Sequence, residues 1–441
     1  MRVVRLRDVP PGDLRRLLAR SRDRIFDPQT QDAVRRLLDD VRARGDQAVV
    51  DATARFDGVR LRPDELAVSR QQIRSAHRRV DDAVRAALEA AIERSRRFSE
   101  WLRPPETVVE EIEPGITVGV RHTSIASVGA YVPSGKGRFP STVATMLTPA
   151  VVAGVPDIAL VVPPGPDGSV DPAVLLAADL LGIERVFCAN GPAGIAALSV
   201  GTATFPRVEA VVGPGSPHVV AMQLTISSLG VRALGLMGPT ESVVLADGRA
   251  PVDLVALDLV NEAEHGSDSA CWLVTPSAAL AEEAVARVRD LLDRIPEPRR
   301  TYARDALSDL GGALVVDSWE EAVSFVDAYA PEHLLIHAAE AWETAWRIRH
   351  AGEILIGPHT PFSAANYAIG IPAALPTGGA ARREGGITVL SFLKTTSVGH
   401  LDPRGLEKVR GVVQALGAYE GFPAHVMAVT GRPVGPSGPG G

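Results

Sequence analysis

The sequence predicts an α/β fold of two domains, each built around a mostly parallel sheet. Two observations carry this. Strand-like apolar runs alternate with helical patterns through short connections, first from about residue 158 to 228 and again from 243 to 356. The 441 residues also supply ample material for more than one core.

Residues 1–28 read as a short, Arg-rich N-terminal segment. From Gln29 to Arg44 the apolar residues Ala33, Val34, Leu37, Leu38 and Val41 fall at helical spacing, and Gly45-Asp46 stops that helix. A second helix carries Val49, Ala52, Thr53 and Phe56 and ends at Asp57-Gly58. Helices over about 70–79 and 81–101 follow, ended by Pro104-Pro105. β-rich runs at 116–120 and 124–128 open the first alternation: strand 158–162, helix 171–181, strand 186–189, helix 192–200, strand 210–212, helix 217–228. The second set reads strand 243–246, helix 251–263, strand 272–274, helix 278–293, strand 313–316, helix 319–329, then strands 334–336 and 354–356. The opening helices are expected to pack on the second sheet. That gives a larger discontinuous α/β domain of 29–123 plus 242–385, a second α/β domain of 124–241, and a C-terminal segment of 386–430. The Gly/Pro/Ser-rich stretch 431–441 is expected to be disordered.

Composition narrows the function classes. Hydrophobic residues make up 46% and charged residues 22%, as in ordinary soluble domains. The net charge of -7, with no basic patch, disfavours nucleic acid or an anionic membrane as partner. Cys188 and Cys271 lie in apolar runs without a CxxC partner, which predicts buried, reduced thiols in a cytoplasmic protein. The N-terminus lacks a signal-peptide apolar core, and the most apolar region, Pro149 to Pro164, is too short to span a bilayer.

Five stretches hold candidate chemistry. Gly129-Ala-Tyr-Val-Pro-Ser-Gly-Lys-Gly137 invites a phosphate-loop reading, but its glycine spacing is one too long and Gly137 stands where Ser or Thr should ligate magnesium. Gly213-Pro-Gly215, after a strand, can present backbone N–H groups to a pyrophosphate, though alone it is only a turn. Asn261-Glu-Ala-Glu-His-Gly-Ser-Asp-Ser269 puts Glu262 and His265 three apart at a helix end, where a carboxylate and an imidazole on one face can grip a divalent metal or simply face solvent. In Ala330-Pro-Glu-His-Leu334, Pro331 disfavours helix, so Glu332 and His333 are expected on a loop leading into a strand, as two proton acceptors of different pKa. Glu420 and His425, five apart across Pro423, line a site or cap the C-terminal segment.

Taken together these stretches resemble the histidinol dehydrogenase family, in order, over about residues 25 to 430. The resemblance rests on Phe56-Asp57-Gly58, Tyr131-Val-Pro133, Gly213-Pro-Gly215, Gly238-Pro-Thr-Glu241, Ala263-Glu-His-Gly266, Ala330-Pro-Glu-His-Leu334, Leu375-Pro-Thr-Gly378, Ser391-Phe-Leu-Lys394 and Ala424-His425. It implies two Rossmann-like domains of aldehyde-dehydrogenase-like architecture in an intertwined homodimer. It also implies oxidation of a primary alcohol to a carboxylate by two NAD, with zinc, through a bound aldehyde. By the same resemblance His333 is the general base and Glu332 activates water. Tyr131 and Ser216 stand at cofactor-contacting positions, and Thr240 and Glu420 at substrate-contacting ones. The family's zinc ligands Gln, His, Asp and His correspond to Glu262, His265, Asn366 and His425, which with His333 also surround the substrate. Glu420 and His425 would come from the other subunit. An amide has become a carboxylate and a carboxylate an amide, so the ligand charge is unchanged and zinc is expected to be retained. Other positions depart further. Ala373 replaces a substrate-facing imidazole, Ala193 a Gln that contacts NAD, and Ser216 an Asn. The expected substrate is therefore L-histidinol, a related amino alcohol or another polar alcohol. A non-redox, metal- or partner-binding relative is the alternative class.

Overall fold

The computed structural model describes residues 1–20 and 25–433. In chain order its strands are β1 (Val3–Arg5), β2 (Thr107–Glu113), β3 (Ile116–Ser124), β4 (Ser127–Tyr131), β5 (Asp157–Val162), β6 (Arg185–Cys188), β7 (Ala210–Val212), β8 (Arg232–Leu234), β9 (Glu241–Ala246), β10 (Ala270–Thr275), β11 (Gly312–Val315), β12 (His333–His337), β13 (Glu353–Ile356) and β14 (Leu393–Leu401). The larger of two compact units takes in residues up to 102 and from 125 to 392; the smaller takes 103–124 and the chain from 393 on.

The larger unit holds two parallel sheets. The five-stranded sheet has the order β6-β5-β4-β7-β8. The six-stranded sheet has the order β1-β11-β10-β9-β12-β13. Without β1, both follow one doubly wound plan, in which the first strand of the set lies centrally and the order reverses beside it. Strands such as Ala210-Val-Val212 and Val243-Val-Leu-Ala246 are apolar throughout because parallel sheets are covered on both faces. Both cysteines are buried and free.

The opening helices depart from expectation. Pro28–Arg44 packs against Gly191–Val200 and Pro217–Ile226, Arg70–Ala76 against Pro172–Leu180, and Asp82–Leu102 against Pro140–Ala153. They thus cover the five-stranded sheet's own helices, not the second sheet, and the boundaries 29–123 plus 242–385 do not hold. The physical reason lies in the helices they cover. Gly191–Val200 is buried on nearly every side, and a helix apolar all round needs a second layer over it.

Three other segments differ. Residues 1–28 are more than a short N-terminal segment: β1 pairs in parallel with β11, and Pro11–Ala19 packs Leu14, Leu17 and Leu18 on the core beneath the six-stranded sheet. Residues 21–24 lie outside the described residues, as do residues 434–441 of the expected disordered tail. The 386–430 segment divides after Phe392, whose carbonyl accepts from the Ile125 N–H within the larger unit.

In the smaller unit β14, β3 and β2 form an antiparallel sheet in that order. The helices Pro403–Tyr419 and Pro423–Thr430 pack on each other. Among the described residues no helix is long and apolar enough to cross a membrane.

One buried ion pair ties the amino-terminal helix into the larger unit. Arg20 Nη1 lies 2.8 Å from Glu241 Oε2, both side chains being almost fully buried. Arg20 Nη2 donates to the Tyr329 carbonyl at 2.7 Å, and its guanidinium stacks on the Tyr329 ring. Removing one member of such a pair strands the other's charge in low dielectric. Arg20→Met is therefore expected to lower stability by about 3–5 kcal/mol, read as a shift of the urea unfolding midpoint; a shift below a fifth of that would show the pair to be dispensable.

Candidate active site

The helix Val252–Ala263 ends at the edge of the six-stranded sheet and presents Glu262, which is completely buried. Its Oε1 accepts from Asn261 Nδ2 at 2.8 Å and from Asn366 Nδ2 at 3.3 Å. Its Oε2 has no hydrogen-bond partner. His265, one turn on, is one-third exposed, with Nδ1 3.1 Å from the Glu262 carbonyl and 3.7 Å from Oε2. A bond from Nδ1 to that carbonyl leaves Nε2 as the free ring nitrogen.

Opposite lies His333. It opens β12 rather than sitting in the preceding loop, and Glu332 comes immediately before it. Both are buried. His333 Nε2 is 3.8 Å from Glu262 Oε2 and 3.7 Å from Glu332 Oε1. On its other side Nδ1 donates to Glu353 Oε1 at the start of β13. Glu332 Oε2 accepts the Glu241 N–H at 2.9 Å, and a Glu241 carboxylate oxygen accepts the Gly378 N–H at 2.8 Å. The ring edge of Phe362 closes over the imidazole with centroids 5.8 Å apart.

This arrangement sets the proton affinities. Burial pushes Glu332 up to about 8, partly opposed by His333 and the Glu241 N–H. Burial acts to lower His333, but Glu332, Glu262 and Glu353 together outweigh it and hold the imidazole at about 10. Burial also raises Glu353, against the pull of His333. A proton shared in this cluster therefore resides first on the imidazole.

The donor set fits a divalent metal. Glu262 supplies an unpartnered buried oxygen and His265 a free ring nitrogen at the end of Val252–Ala263, and Asn366, from the helix Phe362–Tyr367, brings an amide against Glu262. Among the described residues no group of three or more His, Cys, Asp or Glu side chains is arranged to hold a metal ion; the third donor offered here is the Asn366 amide. Glu420 and His425 lie exposed in the smaller unit, Glu420 just after the Pro403–Tyr419 helix and His425 in the first turn of the Pro423–Thr430 helix. Thr240 is half-buried directly before β9, and its carbonyl accepts the Ala270 N–H at 2.8 Å.

A cavity of about 1500 Å³ opens at the carboxyl ends of β4, β5, β6 and β7. Tyr131, Gly191, Ser216 and the 133–139 loop line it. Two helices begin there. Asn190 caps one, its Oδ1 accepting from the Ala193 N–H, while its Nδ2 donates to Asp57. Ser216 precedes the other without a side-chain cap bond, leaving backbone N–H groups for an anion. Gly191 is needed at its place, because a Cβ there would stand 2.7 Å from the Tyr131 ring. Lys136, the would-be phosphate lysine, instead pairs with Asp268 just beyond His265. Arg299 bonds both the Lys136 carbonyl and, at 2.8 Å, that of Glu264. The cavity's rim and the Glu262–His265 turn are thus fastened together.

Glu353, Glu241 and Arg20 belong to this cluster and escaped the sequence reading. Glu353 is an ordinary strand-opening residue in sequence, and Arg20 is one Arg among many. Only Glu241 lay in a noted motif, Gly238-Pro-Thr-Glu241, with nothing there to mark its carboxylate. A second buried pair, His337 with Asp258 at 2.8 Å, sits one step further along the same strand and helix faces.

A family model described as histidinol dehydrogenase matches residues 20–433. The chain is 38% identical over 432 residues to a histidinol dehydrogenase of Synechocystis sp., spanning 98% of this chain and 99% of that one. It is 41% identical over 396 residues to a histidinol dehydrogenase homolog of Rhizobium meliloti, spanning 89% of this chain and 86% of the relative. The crystal structure of histidinol dehydrogenase from Elizabethkingia anophelis matches with a TM-score of 0.90 at 29% identity, over 98% of this chain and 97% of that one. An indole-3-acetaldehyde dehydrogenase structure matches with a TM-score of 0.50 at 16% identity, over 84% and 88% of the two chains, a likeness of fold alone.

Gly191→Ala is expected to displace the Tyr131 ring, and if that ring borders a bound NAD the affinity falls about tenfold, equal to about 1.4 kcal/mol. Calorimetric titration checks this; an unchanged affinity would remove Tyr131 from the cofactor's surroundings.

Proposed function

The chain belongs to the histidinol dehydrogenase family of NAD-dependent oxidoreductases, and from that premise we propose that it oxidises L-histidinol or a related amino alcohol, through a bound aldehyde, to the carboxylate. The observation that carries the proposal is the buried, unpartnered Glu262 oxygen facing His333 Nε2, with Glu332 beside it. When bound, zinc would supply a Lewis acid for the alcohol oxygen and NAD the hydride acceptor. Glu262, His265 and Asn366 would hold the metal, with His425 of a second copy completing the set. Tyr131 and Ser216 would border the dinucleotide.

The side chains have separable tasks. His333 Nε2 takes the hydroxyl proton as the alcohol is oxidised. Glu332, held by the Glu241 N–H, takes a proton from the water that attacks the aldehyde carbon. Burial by Phe362 keeps bulk water from the imidazole. Thr240 and Glu420 would contact the substrate's polar groups. Homodimerisation is supported by apolar side chains on the smaller unit's helices, with Tyr419 91% and Met427 69% exposed.

A different polar alcohol is the second reading. It is supported by Ala373 at the position of the family's substrate-facing imidazole and by relatives named only as homologs.

NADH formation from L-histidinol by zinc-loaded protein tests the first reading, with two NADH per substrate expected. No turnover by folded, zinc-loaded protein would sink L-histidinol as substrate and favour the second reading. Dialysis against a chelator is expected to abolish turnover and zinc to restore it; turnover that survives complete metal removal would exclude the zinc role. Glu332→Gln is expected to slow the second oxidation about 100-fold and bring the early yield towards one NADH. Because the required base form of His333 gains population as pH approaches about 10, the rate should climb from neutral into the alkaline range; a profile flat above pH 7 would contradict His333 as the base.

A further inference from the structure

We propose that Glu353 is a positioning residue for His333: its carboxylate holds Nδ1 and thereby aims Nε2 at the space between Glu262 and Glu332. The inference rests on reading His333 as the proton acceptor. β12 and β13 are parallel neighbours with His333 in register with Glu353, so the two side chains emerge side by side on one face. The backbone locks this register: Gly352 N–H donates to the Pro331 carbonyl at 2.9 Å and Glu353 N–H to the Glu332 carbonyl at 3.0 Å. The approach is so close that a Cβ at position 352 would lie 2.6 Å from the Glu332 carbonyl oxygen.

The surroundings leave the carboxylate no other evident task. Glu353 is 8% exposed, its Oε1 accepts from His333 Nδ1, and its Oε2 has no hydrogen-bond partner. A buried carboxylate with one orphaned oxygen is costly, and a small neutral residue would fill a strand position at less cost. What the carboxylate adds is orientation. Phe362 packs edge-on against the ring but supplies no polar contact to fix its rotation. The bond to Nδ1 does fix it, and makes Nε2 the nitrogen that exchanges protons with substrate.

The test uses the zinc-loaded full chain and the isosteric variant Glu353→Gln. Wild-type protein is expected to show a far-downfield proton resonance from His333 Nδ1–H, identified by its absence in His333→Asn, and Glu353→Gln should move it upfield or abolish it. The variant's kcat should fall about 100-fold with KM within about twofold, and Glu353→Asp should recover about a tenth or more of the lost rate. An unmoved resonance, or a Glu353→Gln kcat within twofold of wild type, overturns the inference. The resonance is read without substrate, so a protein that oxidises no alcohol defeats the proposed reaction while this test still decides the role of Glu353.

Discussion

The larger unit is arranged around one constraint, the burial of the His333 imidazole among Glu262, Glu332 and Glu353. Ionisable groups withdrawn from water must be paired or bonded to one another, and removing one leaves the rest uncompensated. Satisfying this cluster takes residues from the end of one helix, the starts of three strands and the 376–379 turn. Arg20 extends it to the amino-terminal helix through Glu241. The cluster is therefore the knot that fixes the relative places of those elements.

The two sheets share a winding order but are used at opposite edges. The five-stranded sheet opens its cavity at the carboxyl ends of its strands, where helix N-termini converge. That polarity suits phosphate groups. The six-stranded sheet assembles its ionisable groups at the amino ends of β9, β12 and β13, beside the C-terminal end of Val252–Ala263. The partial negative charge of a helix C-terminus suits a cation. Backbone dipoles thus give the two edges opposite polarity, one suited to an anion and the other to a cation, before any side chain is counted.

Much of this was legible in the sequence, for identifiable reasons. The apolar strands announced themselves because parallel sheets bury both faces, and Glu332-His333 stood out because Pro331 marks the boundary before the strand. The covering position of the opening helices was encoded too, in the all-round apolarity of Gly191–Val200, but that signal says only that a cover exists, not which segment supplies it. Glu353 was invisible because its significance comes from strand register with a residue 20 positions away. The antiparallel pairing of β3 with β14 joins segments nearly 270 residues apart and leaves no local mark. Pairing across such distances depends on tertiary complementarity, which periodicity does not report.

The parallel pairing of Val3–Arg5 with Ala313–Val315 bears on how the chain is made. During synthesis this strand and helix emerge some 310 residues before the partners they pack against. Until then the growing polypeptide carries unmatched apolar side chains at Val4, Leu14, Leu17 and Leu18. Long-range closure of this kind is slow, and the five-stranded half can consolidate well before it happens. The Arg20–Glu241 pair, which joins this segment to the buried cluster, therefore closes only after the β12 region has emerged.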